Sequence, residues 1–190
     1  EAYSRNFGGS NWLDQRQESI KFSDREPTVL VVGGGQAGLA VAARLGQLEI
    51  ETLVIDKHDR IGDNWRKRYH SLALHNQIHV NHLPYLPFPP TWPKYIPKDM
   101  LANWFELYAD VMQVNFWTGT ELINANYDGR LNHWVATVKQ NNNSERILKP
   151  KHIIFANGVS GIPYKPKLDG LCDFRGEVLH SEDFSNGAAV

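Results

Sequence analysis

The sequence predicts an α/β fold in which a parallel sheet carries an inserted antiparallel β-meander. Three observations support this prediction. An apolar, β-branched run over 28–32 leads into a glycine cluster and then an alanine-rich stretch that ends at Leu45. A second apolar run follows over 52–55 and ends in Asp56. Between 114 and 138 the hydrophobic period changes to two, the alternation typical of half-buried strands.

The glycine cluster has the spacing of a dinucleotide-binding turn. Gly33, Gly35 and Gly38 match the pattern G-x-G-x-x-G. In that pattern the first glycine allows a tight turn, the second lets phosphate oxygens approach backbone N–H groups, and the third lets helix and strand pack closely. The free N–H groups and the positive end of the helix dipole then face an anion. The pattern alone is weak evidence, because a glycine-rich helix cap in another α/β protein produces it too.

The acid after the second run strengthens the interpretation. Asp56 lies roughly 20 residues beyond the glycines, where a carboxylate accepts hydrogen bonds from ribose hydroxyls. Strand, turn, helix, strand and acid form one right-handed βαβ unit. We therefore predict a Rossmann-like dinucleotide-binding domain, in which consecutive residues cradle the pyrophosphate: Gly33, Gly34, Gly35, Gln36, Ala37 and Gly38.

Periodicity predicts the remaining elements. A stripe of large apolar side chains indicates an amphipathic helix over 97–112, and the stripe consists of Leu101, Trp104, Phe105, Tyr108 and Val111. Strands are predicted over 114–123, 126–127 and 133–138, and a buried strand over 151–155, with turns at 128–129 and 141–144. The polar segment 1–27, with anchors such as Phe7 and Trp12, is expected to be an arm that contains a short helix capped by Asn11.

Composition excludes several classes of function. The 190 residues carry a net charge of −1 and no basic block, which argues against nucleic acid as the main partner. The single cysteine, Cys172, excludes an intrachain disulfide and a Cys-x-x-Cys redox pair. No apolar run is long enough to span a bilayer, and the first residues lack the apolar region of a signal peptide. We expect a cytoplasmic protein, and the sequence predicts nothing about its oligomeric state.

Two local clusters leave alternatives open. Four basic side chains after Asp56 form either a solvated loop or an anion-facing surface, and they are Arg60, Arg66, Lys67 and Arg68. Three histidines at i, i+4 and i+7 could share one helical face as metal ligands, and they are His75, His79 and His82. Since no acidic or cysteine co-ligand is nearby and prolines follow at once, we expect no metal site.

Four segments together resemble the class B flavoprotein monooxygenases, which include flavin-containing monooxygenases, plant indole-pyruvate enzymes and Baeyer–Villiger enzymes. They are the glycine turn with Asp56, the segment 61–65 (Ile-Gly-Asp-Asn-Trp), the turn 155–158 (Phe-Ala-Asn-Gly), and a stretch that is similar to the family signature F-x-G-x-x-x-H-x-x-x-[F/Y] between Phe174 and Phe184. Phe184 favours flavin-containing monooxygenases, since Baeyer–Villiger enzymes usually carry Trp there. The family's second glycine unit, which binds NADPH, does not follow Phe184.

The resemblance therefore implies the FAD-binding N-terminal portion of a longer NAD(P)H-dependent monooxygenase. FAD would occupy a domain over 28–162, and 163–190 would lead toward an NADP-binding domain that the sequence lacks. In such an enzyme NADPH, bound mainly outside this segment, reduces FAD. Reduced FAD takes up O₂ as a C4a-hydroperoxyflavin, which transfers one oxygen atom to a small organic substrate. An FAD-dependent NAD(P)H oxidoreductase without oxygenation and a non-catalytic FAD-binding fragment are the alternatives.

The resemblance also implies site residues. Besides the glycine turn and Asp56, the cofactor-binding residues would be Lys57, Asn64, Trp65, Arg66, His75, Leu122, Ala156 and Gly158. Leu122 would offer backbone hydrogen bonds to adenine, and the segment around Asn64 would lie along the flavin. His75 and Asn76 are the catalytic candidates, because either could hydrogen-bond near the flavin. A satisfied buried histidine is an equally good interpretation of His75.

Overall fold

A parallel sheet forms the centre of the molecule. The computed structural model describes residues 9–159 and 161–187. The parallel sheet has the order β3-β2-β1-β7, built from β1 (Val29–Val32), β2 (Thr52–Ile55), β3 (Phe116–Trp117) and β7 (His152–Phe155). Val31 lies opposite Val54 on one side and Ile154 on the other. The apolar, β-branched composition of these strands suits a sheet covered on both faces.

A three-stranded antiparallel sheet is inserted between β3 and β7. Its strands run in the order β4-β5-β6, and they are β4 (Thr120–Asp128), β5 (His133–Gln140) and β6 (Glu145–Leu148). The predicted α/β architecture with an inserted meander is confirmed. The single strand predicted over 114–123 was wrong: Gly119, with φ +54°, interrupts it between β3 and β4. Strand β6 was not predicted from the sequence, since four residues carry too little alternation to be recognised.

Helices cover the parallel sheet, and two of them contribute side chains to the first of the two larger hydrophobic cores. They are α1 (Trp12–Ile20), α2 (Gln36–Gln47), α3 (Asp63–Arg66) and α4 (Lys98–Val111), with 3₁₀ turns at Ile78–Val80 and Leu171–Asp173. The predicted stripe of α4 is buried except for Val111, which is exposed, and Pro97 is the N-cap. This first core joins α2, α4 and the proline-rich segment 84–97 between the histidines and α4. Its buried side chains include Leu39, Leu83, Phe88, Ile96, Phe105 and Tyr108.

The second core fills the space between the parallel sheet and the meander. It contains Phe22, Leu30, Leu53, Ile55, Trp117, Ala136, Val138 and Leu148. Phe22 comes from the N-terminal segment and is fully buried. The arm thus contributes a side chain to the core as well as lying on the surface.

The described part of the N-terminal arm is anchored by hydrogen bonds. A capping box between Asn11 and Asp14 begins α1, as the sequence predicts. The indole Nε1 of Trp117 donates to the carbonyl of Ile20 at 2.7 Å. Phe7 lies outside the described residues. The division of the chain at 27 and 162 stays a prediction.

Strand β7 lies at the edge of the sheet. Within the described residues it pairs with β1 alone, and the side chain of Phe155 is 65% exposed. The prediction of a buried strand at 151–155 was therefore wrong. A short apolar run does not distinguish a central strand from an edge strand, because both kinds of strand can place apolar side chains against the layers that cover the sheet.

The segment after β7 returns to the body of the protein near α3. The ring of Phe184 packs against that of Tyr69, with centroids 6.2 Å apart. The N–H of His70 donates to the carbonyl of Ser185 at 2.8 Å. Throughout the described ranges, no helix combines the length and the apolar character needed to cross a bilayer.

Candidate functional site

The carboxyl ends of three neighbouring strands bring the predicted residues together. The glycine turn follows β1, Asp56 follows β2, and Ala156 follows β7. The N–H of Gly33 donates to the carbonyl of Ile55 at 2.8 Å, and the N–H of Ala156 donates to that of Val32 at 2.7 Å. These bonds hold the three turns at one edge of the sheet, where open α/β sheets bind ligands.

Two glycines leave no room for a side chain. Gly33 has φ +106°, and a Cβ placed on it would lie 2.5 Å from the carbonyl oxygen of Ala156. A Cβ on Gly38 would lie 1.9 Å from the carbonyl oxygen of Gly33. The two positions therefore hold strand, turn and helix in close contact, as the motif predicts.

The middle of the turn is an open anion cradle. A Cβ on Gly34 would meet the ring of Phe116 at 2.1 Å, whereas one on Gly35 would meet only the amide nitrogen of Asn64, at 3.2 Å. Gly35 is the N-cap of α2 and provides no side-chain cap. The first N–H groups of the helix have no intrahelical acceptor, so they and the helix dipole favour a bound anion. Gln36 and Ala37 are exposed at this point.

The carboxylate of Asp56 lies beside the cradle and is 16% exposed. Its Oδ2 accepts the N–H of Gly34 at 2.7 Å. Its Oδ1 accepts the N–H of His58 at 2.9 Å and lies 2.7 Å from the ring Nδ1 of the same residue. Gly34, Asp56, His58 and Phe116 line a tight crevice there, which is too narrow in this structure to admit a water molecule.

Helix α3 contributes one side chain to the cradle and directs another away from it. Asn64 has its amide next to Gly35. Arg66 instead hydrogen-bonds the carbonyl of Ile61 at 2.6 Å and the carboxylate of Glu106, on α4, at 2.8 Å. Trp65 is half-buried against the first core. Arg66 thus acts as a clamp between two helices in this structure.

The basic cluster after Asp56 is largely ion-paired. Arg60 contacts Glu106 at 2.5 Å, and Lys67 contacts Asp63 at 3.4 Å. The hydrogen bond with Glu106, reinforced by its charge, raises the pKa of Arg60 above its ordinary value. Three of the four charges, Arg60, Arg66 and Lys67, thus already have carboxylate partners in this structure.

The other predicted residues are more peripheral. Lys57, His75 and Asn76 are exposed, and within 9–159 and 161–187 no hydrogen bond or ring contact joins the side chains of His75 and Asn76 to the glycine turn. Leu122 packs against the second core, beside an irregularity in the β4–β5 pairing. Gly158, with φ +77°, ends the turn after β7. All of these site assignments remain predictions.

The three histidines do not form a metal site. His82 accepts the N–H of Phe88 at its Nδ1, at 2.9 Å, and its ring packs on that of Phe88. Across the part of the chain that the structure describes, no three histidine, cysteine or acidic side chains are grouped as a metal ion would require.

Two residues that line the site were not predicted from the sequence. Phe116 closes the cradle over Gly34 from strand β3, more than 80 residues away along the chain, and no local pattern signals it. His58 hydrogen-bonds the carboxylate two residues before it. That spacing is visible in the sequence, because a side chain two residues from an acid can fold back on it.

The chain is similar in sequence to known proteins. Residues 31–91 match the family described as NAD(P)-binding Rossmann-like domain. A probable indole-3-pyruvate monooxygenase of Arabidopsis thaliana, YUCCA1, is 31% identical over 160 residues, which are 83% of this chain and 38% of that protein. The chain thus spans about two fifths of the length of the curated relatives it matches.

Solved structures agree in fold. A flavin-containing monooxygenase from Stenotrophomonas maltophilia superposes with a TM-score of 0.73 at 23% identity, over 86% of this chain and 48% of the other. The crystal structure of OTEMO in complex with FAD and NADP gives a TM-score of 0.64 at 20% identity, over 87% of this chain and 32% of the other. The predicted resemblance is confirmed: this chain is a homologue of the flavin-dependent monooxygenases and corresponds to the N-terminal part of those proteins.

Proposed function

We propose that this chain binds FAD at the carboxyl edge of its parallel sheet. The observation that carries the proposal is the glycine cradle with Asp56 beside it. Gly35 leaves the first N–H groups of α2 open to a pyrophosphate, and the Asp56 carboxylate lies where a ribose would be bound. The flavin-dependent relatives favour FAD over other dinucleotides, and OTEMO was solved with FAD.

The residues of the chain fit the roles that such a cofactor needs. Open backbone N–H groups of the glycine turn would hold the pyrophosphate, and Asp56 would accept the ribose hydroxyls. Asn64 lies against Gly35 and would orient the cofactor along α3. FAD, when bound, supplies the redox and oxygen-activating chemistry, while the protein binds it, orients it and keeps water away.

We propose further that the whole protein is an NAD(P)H-dependent monooxygenase. It would transfer one oxygen atom from O₂ to a small organic substrate. NADPH would bind mainly outside this segment. The similarity to an indole-3-pyruvate monooxygenase supports this reaction class. His75 and Asn76 stay the candidates for contact with the reacting centre, since both side chains are exposed and available to a ligand.

The cofactor assignment is tested with purified protein and FAD. Titration followed by flavin fluorescence is expected to show saturable binding. Gly35→Val is expected to abolish binding, because its side chain enters the path of the phosphates. Asp56→Ala is expected to weaken binding about 10- to 100-fold, the equivalent of ~1–3 kcal/mol for unpaired donors.

Gly46→Ala is the matched control for the glycine variant. Gly46 lies on the same helix, α2, with no atom within 4 Å of an added Cβ, so its substitution is expected to leave FAD affinity unchanged. Undiminished FAD binding by both Gly35→Val and Asp56→Ala would show that the cradle is not the cofactor site.

One observation keeps a second candidate, a nicotinamide-dependent oxidoreductase without oxygenation. The matched family is NAD(P)-binding, and a pyrophosphate cradle with a ribose acid serves NAD as well as FAD. Competition distinguishes the two. If FAD is the resident cofactor, NADH at matched concentration should fail to displace it, whereas displacement by NADH would favour the second candidate.

A further inference from the structure

The carboxylate of Asp56 is nearly saturated with hydrogen bonds from the protein itself. An ionised carboxylate offers about four lone-pair positions, two on each oxygen. Oδ1 uses two of them, on the N–H and the ring Nδ1 of His58. Oδ2 uses one, on the N–H of Gly34. One position therefore remains, on Oδ2.

A ribose needs more than one position. Its two neighbouring hydroxyls are both donors. An acid at this place in the fold accepts the 2′-hydroxyl, and a carboxylate that holds both hydroxyls uses one position on each of its oxygens. With three of four positions filled, only one hydroxyl can be accepted. Because both positions on Oδ1 are used, holding both hydroxyls requires that one existing bond to Oδ1 break.

The two backbone bonds are not free to break. The carbonyl of Asp56 accepts the N–H of Thr120 at 2.8 Å, and the carbonyl of His58 accepts the N–H of Gly119 at 2.7 Å. These bonds fix the backbone of 56–58 to the start of the meander. The N–H of Gly34 is fixed within the glycine turn, where Gly33 donates to Ile55.

The His58 ring is the one donor that can leave. The side chain of His58 is 25% exposed. Rotation about its side-chain bonds can therefore carry the ring toward solvent without moving the backbone. Oδ1 of an ionised carboxylate only accepts hydrogen bonds, so the Nδ1 of His58 that faces it is the donor. This N–H occupies the position on Oδ1 that a ribose hydroxyl would use.

We propose that His58 is an internal competitor of the cofactor's adenosine ribose and sets the affinity of the site. The inference rests on the proposed dinucleotide function. In this structure the imidazole hydrogen-bonds Asp56. When the adenosine ribose binds, the ring swings out and a ribose hydroxyl replaces its N–H on Oδ1. The affinity for FAD is accordingly lower than the cradle alone would provide, by the cost of releasing this bond.

The test removes the competing donor. His58→Ala is expected to bind FAD about tenfold more tightly than the wild type, which corresponds to ~1.4 kcal/mol. ADP, which carries the same adenosine ribose and pyrophosphate, is expected to gain affinity by the same factor. FMN, which lacks the adenosine half, is expected to gain none. His58→Phe keeps a ring without the N–H and should behave as His58→Ala does, which covers the case in which one variant fails to fold.

His152→Ala is the matched control. His152 is also exposed, but it begins β7 at the opposite end of the sheet, so its loss should leave all three affinities unchanged. Weaker FAD binding by His58→Ala would mean that the imidazole is a ligand of the cofactor, and unchanged binding would mean that the bond to Asp56 does not compete. Either result overturns this inference while the cofactor assignment stands. If wild type and both His58 variants bind neither FAD nor ADP, the proposed function fails and this inference fails with it.

Discussion

Two glycines of helix α2, Gly38 and Gly46, differ in the space around them. A substitution at Gly46 is therefore a control for the same substitution at Gly38. A Cβ on Gly38 would lie 1.9 Å from a backbone oxygen, whereas one on Gly46 would meet nothing within 4 Å. The same substitution therefore tests close packing at one site and intrinsic helix propensity at the other. The fold requires a glycine at position 38, whereas it has room for a larger residue at position 46.

Gly38→Ala is expected to destabilise the protein by about 1–3 kcal/mol, because the methyl group must push a backbone carbonyl aside. Gly46→Ala is expected to stabilise it by roughly 0.5–1 kcal/mol, because alanine loses less entropy in a helix. Urea denaturation of both variants measures the two effects. Equal stability of the two variants would contradict the close approach of Gly38 to Gly33.

Tyr108 provides a pH-dependent prediction at the same scale. Burial, and secondarily the charge of Tyr85, raises the pKa of Tyr108 to about 12. Its hydroxyl donates to the carbonyl of Pro84 at 2.9 Å. Since the folded pKa exceeds the ordinary value of about 10, the folded state favours the neutral phenol. This contribution to stability is complete below pH 10 and is lost as the pH rises toward 12.

The unfolding free energy should therefore decrease between pH 10 and pH 12. Tyr108→Phe should weaken this dependence and cost about 1 kcal/mol at neutral pH through the lost hydrogen bond. Urea denaturation at several pH values measures both effects. Tyr164→Phe, at an exposed tyrosine, is the control and should keep the full dependence. An equally steep decrease in Tyr108→Phe would refute the assignment to this phenol.

At the scale of elements, α3 depends on its neighbour. It has four residues, too few to be stable on propensity alone. Arg66 joins it to Glu106 of α4 at 2.8 Å, and the Nζ of Lys98 donates to the carbonyl of Arg66 at 3.0 Å. Because Asn64 sits on this helix beside the cradle, the clamp also determines where Asn64 lies.

Glu106→Gln is expected to destabilise the protein by about 1–2 kcal/mol, since the mostly buried Arg66 loses one of its two carboxylate partners and keeps only Asp63, at 3.3 Å. FAD affinity should fall as well, because α3 is held less firmly. Chemical denaturation and FAD titration measure the two quantities. Glu121→Gln, at an exposed position on β4, should change neither. If Glu106→Gln matches the control in both, the clamp does not hold α3.

At the scale of the whole molecule, the N-terminal arm and the inserted meander share a core. Phe22 is fully buried against Trp117, with an edge-on ring contact at 6.5 Å. Arg146 of β6 hydrogen-bonds the carbonyls of Lys21 and Phe22. Three segments distant in sequence thus meet under the parallel sheet, and the arm closes the side of the core that the meander leaves open.

Phe22→Ala is expected to destabilise the protein by about 3–5 kcal/mol, the range for removing a buried aromatic side chain. Trp12→Ala should change stability by no more than roughly 0.5 kcal/mol, because Trp12 is exposed on α1. Thermal and urea unfolding measure both. A small effect at Phe22 would mean that the arm is not part of the cooperative unit.

The sequence alone determined the features that depend on near neighbours. The βαβ unit with its glycine turn lies within 28–56, so strand, turn, helix and acid could be recognised from spacing. The α4 stripe and the Asn11 cap are local for the same reason. The similarity to flavin-dependent monooxygenases also rested on short linear motifs.

The tertiary structure alone decided the remaining features, because they depend on residues far apart in sequence. The edge position of β7 depends on which strands pair, and the apolar run at 151–155 carries no information about that. Two partners of Arg66, Asn103 and Glu106, come from a helix that begins more than 30 residues later, so the sequence position of Arg66 does not reveal that it bridges two helices. Phe116 reaches Gly34 from another strand. The saturation of the Asp56 carboxylate is likewise a matter of three-dimensional hydrogen-bond geometry, which the sequence pattern of an acid after a strand does not contain.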